Sequence, residues 1–378
     1  MTEGARPTGV PRVSVVVPTR HRPELLLGRA LRTALAQTLS DIEVIVVVDG
    51  PDPATLEALA GVDDARLRVV ALPGNVGPSQ ARNIGVRHAR AEWVALLDDD
   101  DEWAPTKLER QWAAARASGL RRPIVVCRYD LPEGGQIRSE PARFPRKGEP
   151  LADYLMARER WFSPNLTLMS TVLFAGRDLF EQMPFRPGLR RHEDWDWLIW
   201  ASGVPGAGIL GVDSVLATYH FHERRPRLST SVDWRPSLAW ARELRAQGLM
   251  SDRAFVGFVV FHVAPFAAQG GSLGALRETG TAVLTARPRA FELVRFAANW
   301  LMPHHVRRQW RVRAERYWRR LRPPAPQRGA GAPLPDLPGS DPEPSDPVLP
   351  ASFAGRKGLG GESTGLSAWL PPAPLLPS

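Results

Sequence analysis

The sequence predicts an α/β fold with a mostly parallel central sheet flanked by helices, followed by a helical extension and a disordered tail. Three observations predict it. From residue 12, short β-branched runs alternate with amphipathic stretches, as βαβ units require. After about residue 235 the strand signals fade and helical spacing takes over. Proline then crowds the end of the chain, where 14 of the 37 prolines lie beyond residue 322, a composition that opposes regular structure. The expected organisation is a flexible N-terminus over 1–11, an α/β domain over 12–235 in two halves (12–128 and 129–235), a helical extension over 236–322, and a Pro-rich tail over 323–378.

Each element has its own signal. Residues 13–17, Val-Ser-Val-Val-Val, read as a buried strand stopped by Pro18. Residues 23–37 place Leu26, Ala30, Leu31 and Ala34 at helical spacing. A second strand over 42–48 is closed by Asp49-Gly50-Pro51, and a short helix over 54–60 leads to a third strand over 67–71. Pro78 suits the first turn of a helix running to about Ala89. A fourth strand over 93–97 ends in the acidic run Asp98-Asp99-Asp100-Asp101-Glu102, Pro105 starts another helix, and 124–128 form a fifth strand. Beyond it the sequence predicts loops around a short helix over 151–158, a strand over 166–174, a tryptophan-rich helix over 193–201 and a strand over 215–221. The polar clusters follow strand ends, the edge at which open α/β sheets bind ligands.

With 24% charged and 43% hydrophobic residues among 378, a wholly disordered chain is excluded. Cys127 is the only cysteine, which excludes an internal disulfide framework and a Cys-based zinc site and fits a reducing, cytosolic compartment. Residues 1–10 contain no apolar signal-peptide core. The most apolar stretch, 254–268, contains His262 and Pro265 and falls short of the ~20 residues a span needs. The expectation is therefore a chain neither exported by a signal peptide nor crossing the membrane.

The formal net charge of +9 is concentrated. Residues 303–322 carry eight arginines against Glu315, with Trp310, Ala314, Tyr317 and Leu321 on one helical face. Such a basic amphipathic helix suits either packing onto the domain or docking at a membrane interface. Nucleic acid is not expected as a partner, because no recognised DNA or RNA module accompanies the charge. The expected location is cytoplasmic, with the inner face of the cell membrane as a docking surface.

Two acidic constellations carry the chemistry. Five consecutive acids between the apolar 93–97 and Trp103 need a cation or solvent to relieve their repulsion. Asp98 and Asp100 sit near the strand tip, and hard-oxygen ligands suit Mg²⁺ or Mn²⁺ with phosphate oxygens completing the shell. The second is Arg190-Arg191-His192-Glu193-Asp194-Trp195-Asp196-Trp197. Asp194 in a first helical turn would cap the helix or serve as a base, with Trp195 and Trp197 as an aromatic wall such as a sugar platform or desolvated pocket uses.

Taken in order, Pro18-Thr19, Asp49-Gly50, Asn75-Val76-Gly77, Ala81-Arg82-Asn83-Ile84-Gly85, Leu97-Asp98-Asp99-Asp100-Asp101 with Trp103, Pro105, Lys107, Leu108 and Glu109, and Glu193-Asp194 resemble the inverting family 2 glycosyltransferases of the GT-A fold. The resemblance covers roughly residues 12–230. It implies a GT-A-type nucleotide-diphospho-sugar transferase fold, with the donor bound by 12–128 and the acceptor by 129–235. Asp98 and Asp100 then look like the metal-binding pair, with Mn²⁺ or Mg²⁺ as cofactor. Pro18, Thr19, Arg20, Asp49, Arg82, Asp98 and Asp99 look like the donor-nucleotide residues, and Asp194 with Glu193 beside it looks like the catalytic base. In the loop after Tyr219, His222 or Arg227 would close over the diphosphate, His222 also being a candidate metal ligand. The implied partners are a nucleotide sugar, a UDP-sugar before others, and a saccharide or lipid-linked acceptor. Two departures, Thr19-Arg20-His21-Arg22 for the family's frequent Tyr-Asn loop and Val48-Asp49-Gly50-Pro51 for Asp-Asp-Gly-Ser, bear on specificity more than on reaction type.

The chemistry fits that division of labour. A departing diphosphate needs its charge neutralised rather than a proton, so only the acceptor hydroxyl needs a base, whose help is worth about 10²–10⁴-fold. Two rival classes are weaker. Gly270-Gly271-Ser272-Leu273-Gly274, with Glu292 and His304 following, matches a serine-hydrolase elbow, yet no strand precedes it. A non-catalytic scaffold would be expected to have lost Asp98, Asp100 or Asp194, all of which are present.

Overall fold

The computed structural model describes residues 9–133, 136–159, 166–189, 191–220, 233–302 and 306. Valine-rich β1 (Val13–Thr19) and β2 (Ile42–Val48) are buried almost throughout, as strands covered by helices on both faces should be. With β3 (Leu67–Ala71) and β4 (Trp93–Leu96) they form a parallel set in the order β3-β2-β1-β4. The sheet continues through β8 (Phe174–Gly176), β6 (Arg122–Glu133), β9 (Ala207–Thr218) and the two-residue β5 (Glu102–Trp103), with β7 (Gln136–Glu140) paired to β6. β6 and β9 run parallel; β8 is antiparallel to both neighbours, β5 to β9 and β7 to β6. Chain order reverses between β1 and β4, so the ends of these two strands flank the crevice in which such sheets hold ligands.

The helix Pro78–His88 is seated against β1 and β2 by Gly85. A Cβ there would lie 2.3 Å from Val16 Cγ1 and 3.2 Å from Val47 Cγ2, so only glycine permits this approach. At the opposite end of the sheet from the crevice, buried Glu43 accepts from Ser14 Oγ (2.7 Å), Arg68 (2.6 Å) and Arg90 (2.9 Å). Burial works against its charge, and these bonds outweigh it, holding its carboxyl below the usual range.

Three expected elements differ. The strand expected over 166–174 is a short 3₁₀ turn, Ser170–Val172, followed by the brief β8. Side chains occupy the carbonyls a ladder would have used: Trp103 Nε1 donates to Thr171 O (2.9 Å) and Gln111 Nε2 to Val172 O (2.9 Å). β9 begins at Ala207, well before the expected 215; Gly208 and Gly211 break up the apolar residues of its first half, which is only partly buried. The helix Asp252–Gly270 is 19 residues long and by length and composition could cross a membrane, contrary to the shorter stretch read from the sequence; 56% of its apolar window is buried inside the fold. It continues to Pro265 through a widened turn over Val259–Val263, the adjustment that lets a helix absorb a proline.

Residues 235–301 contribute the helices Arg235–Ala246, Asp252–Gly270, Leu273–Leu284 and Ala290–Leu301. They share one hydrophobic core with the sheet, running from Val13 to Ala286. Gly257 marks the closest seam, since a Cβ there would meet Met156 O at 2.1 Å.

Candidate active site

The last residue of β1, Thr19, donates from Oγ1 to Asp99 Oδ2 at 2.8 Å. Arg22 Nη1 reaches Asp99 Oδ1 (3.1 Å) and Asp100 Oδ2 (3.4 Å), and Arg29 Nη1 donates to the Asp100 carbonyl (3.1 Å). Arginines from the segment after β1 thus relieve the repulsion within the acidic run after β4. Asp99 is buried, which pushes its carboxyl up to about 6 against the pull of Arg22. Asp101 is fully buried and accepts from His220 N at 3.1 Å; burial, then Asp98 and Asp100, raise it well above the carboxylate range.

Arg82 is the hub. Projecting from the helix Pro78–His88 and only 4% exposed, it donates from Nη2 to Asp98 Oδ1 (2.6 Å) and to Ser170 Oγ (3.1 Å). Ser170 Oγ in turn donates to Asp98 Oδ2 at 2.8 Å. Arg82 Nη1 lies 3.6 Å from Glu193 Oε1, and its guanidinium covers the Phe185 ring. Its Nε and Nη1 have no hydrogen-bond partner among the described residues. Burial opposes its charge, but Asp98 and Glu193 outweigh burial and raise it.

The helix Glu193–Ser202 brings the second acidic pair to this hub. Asp194 Oδ1 accepts from Trp195 N at 2.8 Å. Burial, then the neighbouring Glu193, pushes Asp194 up to about 8, while Trp195 N and Arg82 pull the other way. Glu193 is also raised by burial, with Arg82 opposing.

Thr19, Arg82, Asp98, Asp99, Asp100, Glu193 and Asp194 therefore converge at the β1/β4 crevice, with Pro18 preceding Thr19 on β1. Asp49 adjoins this group, its N donating to Thr19 O at 2.9 Å, while its two carboxylate oxygens accept Val76 N (2.7 Å) and Gly77 N (2.9 Å) and fix the loop that starts the helix Pro78–His88. Arg20 is exposed and takes no part in the network. His222, Arg227 and the basic stretch 307–322 lie outside the described residues. Among those described, no cluster of three or more His, Cys, Asp or Glu could hold a metal by itself. Asp98 and Asp100 still present an all-oxygen donor set, which fits Mg²⁺ or Mn²⁺ when diphosphate and water fill the other positions. Asp98 would share its oxygens with Arg82 and Ser170.

One sequence expectation fails, and the serine-hydrolase reading that the sequence disfavoured finds no support. Trp195 and Trp197 form no open aromatic wall: Trp197 is fully buried, stacked on Phe180 (4.4 Å) and Phe185 (5.6 Å), with Nε1 donating to Met183 O (2.6 Å), and Trp195 is 7% exposed. Ser272 is no nucleophile elbow, because its Oγ caps the helix Leu273–Leu284 by accepting Ala275 N; Glu292 Oε2 is spent on Arg289 N, and His304 lies outside the described residues. Sequence reasoning missed Arg22, Arg29 and Ser170. The basic run Arg20-His21-Arg22 facing an acidic run was a usable signal for Arg22; Ser170 had none.

Comparisons with known proteins bear on the family and the fold. Residues 14–178 match the model of the glycosyl transferase family 2. The chain is 34% identical over 230 residues to the succinoglycan biosynthesis protein ExoO of Rhizobium meliloti, covering 58% of this chain and 63% of ExoO. It is 27% identical over 188 residues to the putative colanic acid biosynthesis glycosyl transferase WcaA of Escherichia coli, covering 49% of this chain and 64% of WcaA. The chain thus spans a little under two thirds of the length of these relatives. Among solved structures, TarS of S. aureus shares the fold, with a TM-score of 0.52 at 18% identity in its complex with UDP-GlcNAc, over 76% of this chain and 90% of TarS 1–349. Its UDP complex gives 0.53 at 16% identity.

Proposed function

We propose that this chain, which resembles the family 2 glycosyltransferases over residues 14–178, is an inverting glycosyltransferase. It moves a sugar from a nucleotide-diphosphate sugar to an acceptor hydroxyl in the synthesis of a cell-surface polysaccharide or glycolipid. One observation carries the reading: buried Arg82 joins Asp98, at the end of β4, to Glu193, beside Asp194, within 2.6 and 3.6 Å. A diphosphate-side acid and a base-side acid are thereby held at one crevice.

In this reading Thr19, Asp99 and Asp98 line the donor side. Asp100, with Asp98 beside it, would hold Mg²⁺ or Mn²⁺, which when bound supplies positive charge to the departing diphosphate. Arg82 keeps Glu193 and Asp98 at a fixed separation. Asp194 accepts the proton of the acceptor hydroxyl as the oxygen attacks the anomeric carbon, and attack from the face opposite the leaving group inverts that carbon. Only the ionised form of Asp194 can do this, and a base whose affinity for protons lies near the working pH is the effective one. ExoO and WcaA bear names from succinoglycan and colanic acid synthesis, which supports a saccharide or lipid-linked acceptor. TarS, a neighbour in fold, was solved with UDP-GlcNAc, so UDP-sugars are the donors to try before others.

The same reading puts the protein on the cytoplasmic side, at the membrane surface. Supporting it are the eight arginines in 303–322 and the exposed Leu284 (64%), Val294 (59%) and Leu301 (81%) on the preceding helices, an apolar-plus-basic combination that anionic lipid attracts. Co-sedimentation with anionic vesicles, comparing the full chain with one ending at Met302, tests this; equal pelleting removes it. The catalytic reading is tested by nucleotide-sugar turnover with and without Mn²⁺. Release of UDP from a UDP-sugar supports it, and binding of no nucleotide at all leaves a non-catalytic scaffold.

A further inference from the structure

The residue that starts the helix bearing the acidic pair has an unusual setting. His192 adopts a left-handed backbone, φ 64° and ψ 19°, a conformation that a non-glycine residue keeps only where its surroundings enforce it. Its carbonyl accepts Asp196 N at 2.8 Å, so this bend sets the direction in which Glu193 and Asp194 leave the chain.

The surroundings that enforce it come from the C-terminal helices. The His192 ring lies between Trp195 (centroids 5.4 Å, 26°) and Trp240 (5.1 Å, 19°), with Phe258 edge-on at 5.0 Å. His192 Nε2 and Ser237 Oγ are 3.0 Å apart. One turn on, fully buried Asp196 accepts from Arg186 (2.8 Å) and from Trp240 Nε1 (3.0 Å), and Arg186 also reaches Glu243 at 2.6 Å. Ser237, Trp240, Glu243 and Phe258 all lie beyond residue 178, where the family match ends.

We infer that His192 is a positioning residue for the Glu193–Asp194 pair, held in register by Ser237, Trp240 and Phe258, so that the helices after residue 234 are a working part of the active site. The inference rests on the proposed reading of Asp194 as the base. Burial pushes His192 down to about 3, so the box holds a neutral ring throughout the working pH range and does not add charge beside the carboxylates.

The test measures UDP binding and sugar-nucleotide turnover on the full-length chain, using whichever of UDP-glucose, UDP-galactose and UDP-N-acetylglucosamine the wild type hydrolyses fastest. His192→Ala should lower kcat by about 10²-fold, the scale of a displacement of about 1 Å in a reacting group, with UDP affinity within twofold of wild type. Ser237→Ala, which removes one hydrogen bond and leaves the rings, should lower kcat less with UDP affinity again unchanged, and His192→Asn, which tolerates the left-handed backbone, should recover part of the loss. A role in folding alone would instead lower active fraction and UDP-binding capacity together. Asp194→Asn is run alongside. If Asp194→Asn is inactive while folded His192→Ala and Ser237→Ala turn over within twofold of wild type, the inference falls and the base reading stands. If Asp194→Asn keeps full turnover, the base reading falls and takes the inference with it.

Discussion

Arg82 Nη2 meets Asp98 Oδ1 at 2.6 Å while the same guanidinium lies 3.6 Å from Glu193 Oε1, so a single buried arginine ties the acidic end of β4 to the acidic start of a helix nearly a hundred residues later. Both carboxylates are only partly open to water, with 23% and 21% of their side chains exposed, and the arginine balances their charge.

Removing that arginine should therefore be expensive. Arg82→Ala leaves Asp98 and Glu193 partly buried without their cation, a change that costs about 3–5 kcal/mol when a buried pair loses one member. Urea unfolding at neutral pH should show a loss on that scale, reduced at acid pH where the carboxylates protonate.

Gly85→Ala should destabilise by about 1–3 kcal/mol, the usual penalty for overpacking, because its Cβ would overlap Val16 Cγ1 at 2.3 Å. Pairing it with Val16→Ala should recover part of the loss in chemical denaturation. Additive losses would place the clash elsewhere.

Asp194 also sets a sign for pH dependence. Its folded carboxyl is pushed up to about 8 by burial, above the unfolded value of about 3.9. Between these values the unfolded chain has released a proton that the folded chain retains, so this group's contribution to stability falls as pH rises across the window and levels off above about 8. Asp194→Asn removes the group, so its stability relative to wild type should increase from pH 4 to pH 8. Glu193 moves in the same direction and remains in both proteins. In turnover, kcat/KM should climb as pH approaches 8, as more of the base ionises.

Asp100→Ala should abolish any strengthening of UDP binding by Mn²⁺, because Asp100 lies at the crevice with its carboxylate 3.4 Å from Arg22 Nη1. Titration calorimetry of UDP with and without Mn²⁺ measures it; an undiminished metal effect would move the cation to other ligands.

Much of this architecture is legible in the residues. β2 is bounded in the sequence as in the structure, because its apolar run ends abruptly at Asp49-Gly50-Pro51. The acids at strand ends mark the crevice because charge next to a buried strand needs a partner. What escapes is whatever depends on contacts distant in sequence. The first half of β9 is apolar but interrupted by Gly208 and Gly211, and only its pairing with β6 makes it a strand. Ser170 is one serine among many until the fold brings it to Asp98. Trp195 and Trp197 read as a binding wall because composition does not reveal which side of a helix faces the core. Arg22 carried a signal in its charge, but the acid it would meet lies nearly eighty residues away.

In the proposed mechanism Asp194 is the base of a transfer reaction and not a helix cap. Steady-state turnover of a UDP-sugar by Asp194→Asn, alongside UDP affinity on the same preparation, tests it most directly. The prediction is a loss of turnover of about 10²–10⁴-fold, the usual worth of a general base, with UDP affinity unchanged. Turnover equal to wild type in a variant that binds UDP normally contradicts it.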